Sequence, residues 1–138
     1  DKPEVAPPVI SKPVEEKVDT SWCTKKGIFI FTLSGKFQLC DPIKKIAVEM
    51  KACAGREKTP TYPWIFRAQR FIVGTSLTKS GTKFYNAIFF FKGLAISGSN
   101  SVADKPCSAG SVFIPMQYSK MLFDYAKIEK PLIWVKAA

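Results

Sequence analysis

The chain contains no histidine. That absence removes Ser-His-Asp and Cys-His catalysis, imidazole acid–base pairs and most catalytic metal sites. Acids are scarce as well: 11 Asp and Glu stand against 21 Lys and Arg. Glu49 and Glu57 are conceivable single carboxylates, but nothing marks two of them as facing each other, as a glycosidase pair requires. The plainer reading is a solvated surface charge at each. No GxGxxG and no GKS/T is present, which leaves nucleotide binding without its fingerprint. No apolar run approaches the roughly 20 residues of a membrane helix. Asn86 and Asn100 both lack the Ser or Thr of a glycosylation acceptor, which points toward a bacterial envelope rather than a glycosylated surface. No CxxC pair occurs, so a zinc site has no ligand cluster to start from. The expectation is no cofactor and no metal.

What is present divides in two. Residues 1–20 are proline-rich and acidic, with three lysines against five acids and four of the ten prolines. Residues 21–138 carry eighteen Lys and Arg against six acids, a net of +12. The lead favours extended polyproline geometry and reads as a spacer or disordered lead. In composition it resembles the Pro/Glu/Lys stretches that cross the periplasm in TonB-like envelope proteins. A first residue of Asp rather than Met suggests a mature or trimmed terminus. The remainder, 46% hydrophobic overall and 13% aromatic, is long enough for one core and is expected to form one basic domain.

The four cysteines are Cys23, Cys40, Cys53 and Cys107. An even count in a small chain suggests two disulfides and an oxidising compartment: periplasm, cell surface or secretion. Three connectivities are possible. The favoured one is Cys23–Cys40, stapling segments either side of Ser34-Gly35, with Cys53–Cys107 closing a long loop.

Ile28 to Leu33 is β-branched and aromatic and reads as a buried strand, with Lys36 to Cys40 pairing back on it. Asp41 suits an N-cap and Pro42 the first helical turn. Ile43, Ile46, Ala47, Met50 and Cys53 then recur at helical spacing, and Gly55 suits the end. The spacing therefore predicts a helix over 41–55. Further strands are expected around Trp64–Phe66, Arg70–Val73, Phe84–Phe91 (extending toward Ile96), Ser111–Ile114 and Leu132–Val135, with a hairpin turn at Lys79-Ser80-Gly81. Met116 to Ile128 fits either a helix or a strand. The expected fold is α+β: an antiparallel sheet with one or two helices on one face, stapled by disulfides.

Two small-residue loops, Gly98 to Ser101 and Ser108 to Ser111, have the composition of phosphate cradles but lack the accompanying lysine motif; a flexible loop is the plainer reading. Ser119-Lys120 is discounted as a serine–lysine pair because adjacent side chains do not meet. The expectation is therefore a non-enzymatic, extracytoplasmic protein-binding module. Its partner face would be Tyr62, Trp64, Arg67 and Arg70, with Lys79 and Lys83 as second choices, since Trp, Tyr and Arg dominate interface hot spots. The partner would be another protein. The alternative is a polyanion binder (glycan, anionic lipid or nucleic acid) using Lys44, Lys45, Lys51, Arg56 and Lys58.

Overall fold

The structure is a computed structural model that describes residues 19–79, 81–103 and 106–138. Most of the proline-rich lead, and Ser80 of the expected hairpin turn, lie outside the described residues. Among the described residues nine strands form two sheets. They are β1 (Gly27–Phe31), β2 (Lys36–Asp41), β3 (Ile46–Lys51), β4 (Ile65–Arg67), β5 (Arg70–Leu77), β6 (Lys83–Phe91), β7 (Leu94–Ser99), β8 (Val112–Pro115) and β9 (Leu132–Lys136). One helix, α1 (Met116–Glu129), separates β8 from β9. The first sheet runs β3-β2-β1-β9-β4 and the second β5-β6-β7-β8.

The α+β class stands, but the sheets are mixed rather than purely antiparallel. β1 pairs with β9 in parallel, and so does β7 with β8. Each parallel pair needs a long crossover, and α1 lies in the stretch that follows β8 and returns the chain to β9.

The helix expected over 41–55 is corrected to a turn followed by a strand. Asp41 Oδ1 accepts the backbone N–H of Lys44 at 3.0 Å, and Lys45 takes a left-handed φ of 57°. This Asx-type turn closes a β2–β3 hairpin instead of opening a helix. Ile46, Val48 and Met50 then face the core at two-residue spacing, with Glu49 and Lys51 exposed. The segment carries a strand period and a helix period together, and pairing with β2 decides between them. The return strand expected over 84–96 is two strands. Lys92 and Gly93 both have positive φ, 43° and 82°, as a two-residue type I′ hairpin requires. The ambiguous segment from Met116 is the helix. Its C-cap Lys130 is left-handed and returns its N–H to the Ala126 carbonyl, and Pro131 follows.

One cluster of buried apolar side chains joins all layers. Ile28, Ile30, Phe37 and Leu39 come from the first sheet, Ile88, Phe90, Ile96 and Ile114 from the second, and Leu122 and Phe123 from α1. Both disulfides form as expected, Cys23–Cys40 and Cys53–Cys107. No helix among the described residues is long and apolar enough to cross a membrane.

Candidate functional site

The polar groups that converge lie where β7, β8 and the loop before β8 meet. Ser108 and Ser111 are buried on either side of Ala109 and Gly110. Ser108 Oγ donates to the Ser111 carbonyl and accepts the Gly110 N–H at 3.1 Å, so its hydroxyl is committed in both directions. Ser111 Oγ accepts the Ala95 N–H of β7 at 3.1 Å. Its own proton meets no acceptor among the described residues. Gly110, at φ 124°, lets the chain turn between the two serines. The Cys53–Cys107 disulfide anchors this loop from behind. It is reinforced by Cys107 and Ser108 N–H groups donating to the Ala54 carbonyl.

A cavity of about 320 Å³ opens on this loop. Its walls are Ser108, Ala109 and Ser111, the rings of Phe84 and Phe113, and the β5–β6 hairpin at Thr78 and Thr82. That hairpin is held at its neck, where Thr78 N–H donates to the Thr82 carbonyl at 2.9 Å. An N–H aimed at a buried hydroxyl oxygen favours negative charge on it. The arrangement thus presents, beside the Thr78–Thr82 hairpin, one hydroxyl with a donor-stabilised oxygen and no acceptor for its proton among the described residues. The sequence showed this loop only as a small-residue stretch; its place directly before a β-branched strand was the available signal.

The residues expected as a partner face are divided. Tyr62 stacks on Phe91 at 5.4 Å and Trp64 is 65% exposed, both just before edge strand β4. Arg67 on β4 donates to the Lys130 carbonyl at 2.9 Å. Arg70 starts β5 in the other sheet and lies over the Phe89 ring at 4.3 Å. Lys79 and Lys83 stand at the opposite end of the β5–β6 hairpin from Arg70.

The polyanion set loses the helix that was to gather it. Lys44 and Lys45 occupy the β2–β3 turn, where Lys44 pairs with Glu129 at 3.4 Å, while Lys51 ends β3. Arg56 and Lys58 flank Glu57 on an exposed loop. Glu49 is engaged by Gln38 at 2.8 Å and by Lys36 at 3.6 Å. Among the described residues no cluster of Cys, Asp or Glu could hold a metal ion.

No protein-family model matches the sequence, and no curated protein resembles it in sequence. Solved structures do match in fold. The L,D-transpeptidase of Xylanimonas cellulosilytica aligns at a TM-score of 0.66 with 16% identity, over 82% of this chain and 62% of that one. The L,D-transpeptidase of Stackebrandtia nassauensis gives 0.66 and 18%, over 82% and 57%. A cysteine-to-serine mutant of the Enterococcus faecium L,D-transpeptidase gives 0.64 and 17%, over 82% and 50%. At these identities the likeness establishes a shared fold, and the chain spans between 50% and 62% of those structures. All three are enzymes. They overturn the expectation of a non-enzymatic binding module.

Proposed function

We propose that this protein is an acyl-transfer enzyme of the cell envelope, acting on peptides at the cavity beneath the β5–β6 hairpin. The observation that carries the reading is Ser111: a buried residue on the cavity wall, its hydroxyl oxygen held by the Ala95 N–H and its proton without an acceptor among the described residues. Extracytoplasmic placement follows from two disulfides together with the fold. The substrate class is a peptide stem of the bacterial cell wall.

The chain constrains how such a transfer runs. It has no imidazole, and its four cysteines are all in disulfides. On this reading a hydroxyl, that of Ser111, is the reacting group. Ser111 Oγ adds to the donor peptide's carbonyl carbon, and the Ser111 proton passes to the departing amine. The resulting ester is cleaved by an acceptor amine, which returns one proton to Ser111 and leaves a new peptide bond. The Ala95 N–H steadies negative charge on Oγ before attack and as it departs.

The structure of one L,D-transpeptidase that shares the fold is a complex with imipenem, and a carbapenem is the direct probe here. Intact-mass spectrometry of the protein incubated with imipenem should show one adduct of the whole drug mass, because ring opening expels no atoms. The adduct should map to the peptide bearing Ser111 and vanish in Ser111→Ala. Labelling that persists in Ser111→Ala, or no labelling together with no turnover of stem peptides, overturns the reading.

A further inference from the structure

The outward face of the five-stranded sheet bears aromatic rings and lysines where a solvated sheet face normally bears scattered polar side chains. Register fixes the layout. Gln38, Phe29 and Trp134 form one row across β2, β1 and β9; Lys51, Lys36, Phe31 and Lys136 form the next, beginning on β3. Their in-facing neighbours Ile28, Ile30, Ile133 and Val135 are in the core, so these rings are not needed there. Phe29 and Trp134 stack with centroids 6.3 Å apart. Trp22, from the segment before β1, completes a cavity of about 310 Å³ with them.

Three features point to a ligand. First, the lysines are arranged against their own electrostatics: Lys36 stands directly opposite Lys51, a like-charged cross-strand pair that disfavours the sheet. Second, cations are held over rings. Lys25 Nζ lies 3.7 Å from the Trp134 centroid, and Lys36 and Lys136 lie 5.5 and 5.9 Å from that of Phe31. Of these, Lys25 and Lys136 line the cavity, their ammonium groups held over rings with their remaining donors left to solvent. Third, Trp134, which lines the cavity, keeps a buried indole N–H with no acceptor among the described residues. The carboxylate nearest the lysine row, Glu49, is already shared between Gln38 and Lys36.

We propose that this face is a binding site for an acidic oligosaccharide. On binding, Lys25 leaves the Trp134 face to meet one sugar carboxylate and Lys136 meets another, while pyranose rings lie against the Phe29, Trp134 and Trp22 surfaces. Flat apolar rings suit the C–H face of a sugar, and a cavity of this size takes one or two residues of a chain. Charge complementarity selects the acidic sugar over a neutral one. The site shares no residue with the Ser108–Ser111 cavity, so it stands whether or not Ser111 reacts.

The test is a fluorescence titration of the full chain carrying Trp64→Phe, which leaves Trp22 and Trp134 as reporters, with tetragalacturonate as the probe. Saturable quenching is expected, with Kd raised about tenfold in Lys25→Gln/Lys136→Gln and again in Trp134→Phe. The lysines are exposed, so that variant keeps its fold whatever the tryptophan change does. Equal affinity for neutral chitotetraose would overturn the acidic-sugar assignment. Equal affinity for inorganic polyphosphate with no effect of Trp134→Phe would reduce the site to plain surface charge and overturn it. So would the absence of quenching by tetragalacturonate.

Discussion

Tyr125 of the helix donates its phenolic proton to Asp41 Oδ2 at 2.7 Å, a bond between residues 84 apart in sequence. Asp41 is the turn-forming residue at the end of β2, so this one bond fastens the helix to the β2–β3 hairpin. Around it, Lys26 and Lys44 both reach Glu129 near the end of the same helix.

That bond makes stability depend on pH at both ends. The Tyr125 hydroxyl, then the Lys44 N–H, holds the Asp41 carboxyl below the usual carboxylate range. Its contribution is full above the unfolded value of about 3.9 and is lost as pH falls through the lower folded value. Burial, then the bond to Asp41, pushes the Tyr125 phenol well above its ordinary range. The folded state therefore keeps a proton that the unfolded chain releases above about pH 10, and stability falls as pH rises past that point. Tyr125→Phe should move the acid unfolding midpoint upward and blunt the alkaline loss. Thermal melts from pH 2 to 11 would show both.

Removing the disulfides should cost unequal amounts. Cys53–Cys107 spans 54 residues and Cys23–Cys40 spans 17, so the chain-entropy model gives about 4 and about 3 kcal/mol. Urea denaturation of Cys53→Ser/Cys107→Ser and Cys23→Ser/Cys40→Ser should show this order. The first variant should also lose imipenem labelling, because that bridge anchors the Ser108–Ser111 loop.

Gly98 is tightly enclosed. A Cβ there would lie 2.6 Å from the Ser119 Cβ and 2.9 Å from the Met116 sulfur. Gly98→Ala should destabilise by about 1–3 kcal/mol through overpacking. Adding Ser119→Gly should recover part of it, less what is lost with the Asn86 amide bond to Ser119 Oγ at 3.1 Å. A double-mutant cycle on melting temperature would measure the coupling.

Phe90 is fully buried on β6 and meets Phe66 of β4 at 5.3 Å, joining the two sheets. Phe90→Ala should cost about 3–5 kcal/mol, read as a lower urea midpoint.

Strands with one decisive signal were legible from the residues. Ile28–Phe31, with glycines on either side, and the closing Leu132–Val135 are strands, and both cysteine pairs form as spacing suggested. Ile46 to Met50 failed because Ile46, Ala47 and Met50 satisfy a helical step while Ile46, Val48 and Met50 satisfy a strand step. Only the partner strand settles such a tie. The parallel pairings were hidden for a related reason, since nothing local to Ile28 or Ile133 announces the other. The candidate site was harder still. Ser108 and Ser111 acquire meaning from Ala95 and the Thr78–Thr82 hairpin, which no short window contains. The aromatic face was written in the alternation of Phe29 with Ile28 and Ile30, but core demand is the ordinary explanation of such rings.

The parallel seam between β1 and β9 also dictates an order of events in the cell. Thr32 gives its N–H and its hydroxyl to the carbonyl of Lys136, 104 residues downstream. β9 is an inner strand, lying between β1 and β4. A chain emerging amino end first therefore carries β1 with one side unclaimed until β9, some 104 residues later, has followed it. During that interval the bare strand is open to any extended neighbour, and closure is slow because the joining loop is long. A chaperone that shields this strand would act at a step where the molecule is open to aggregation.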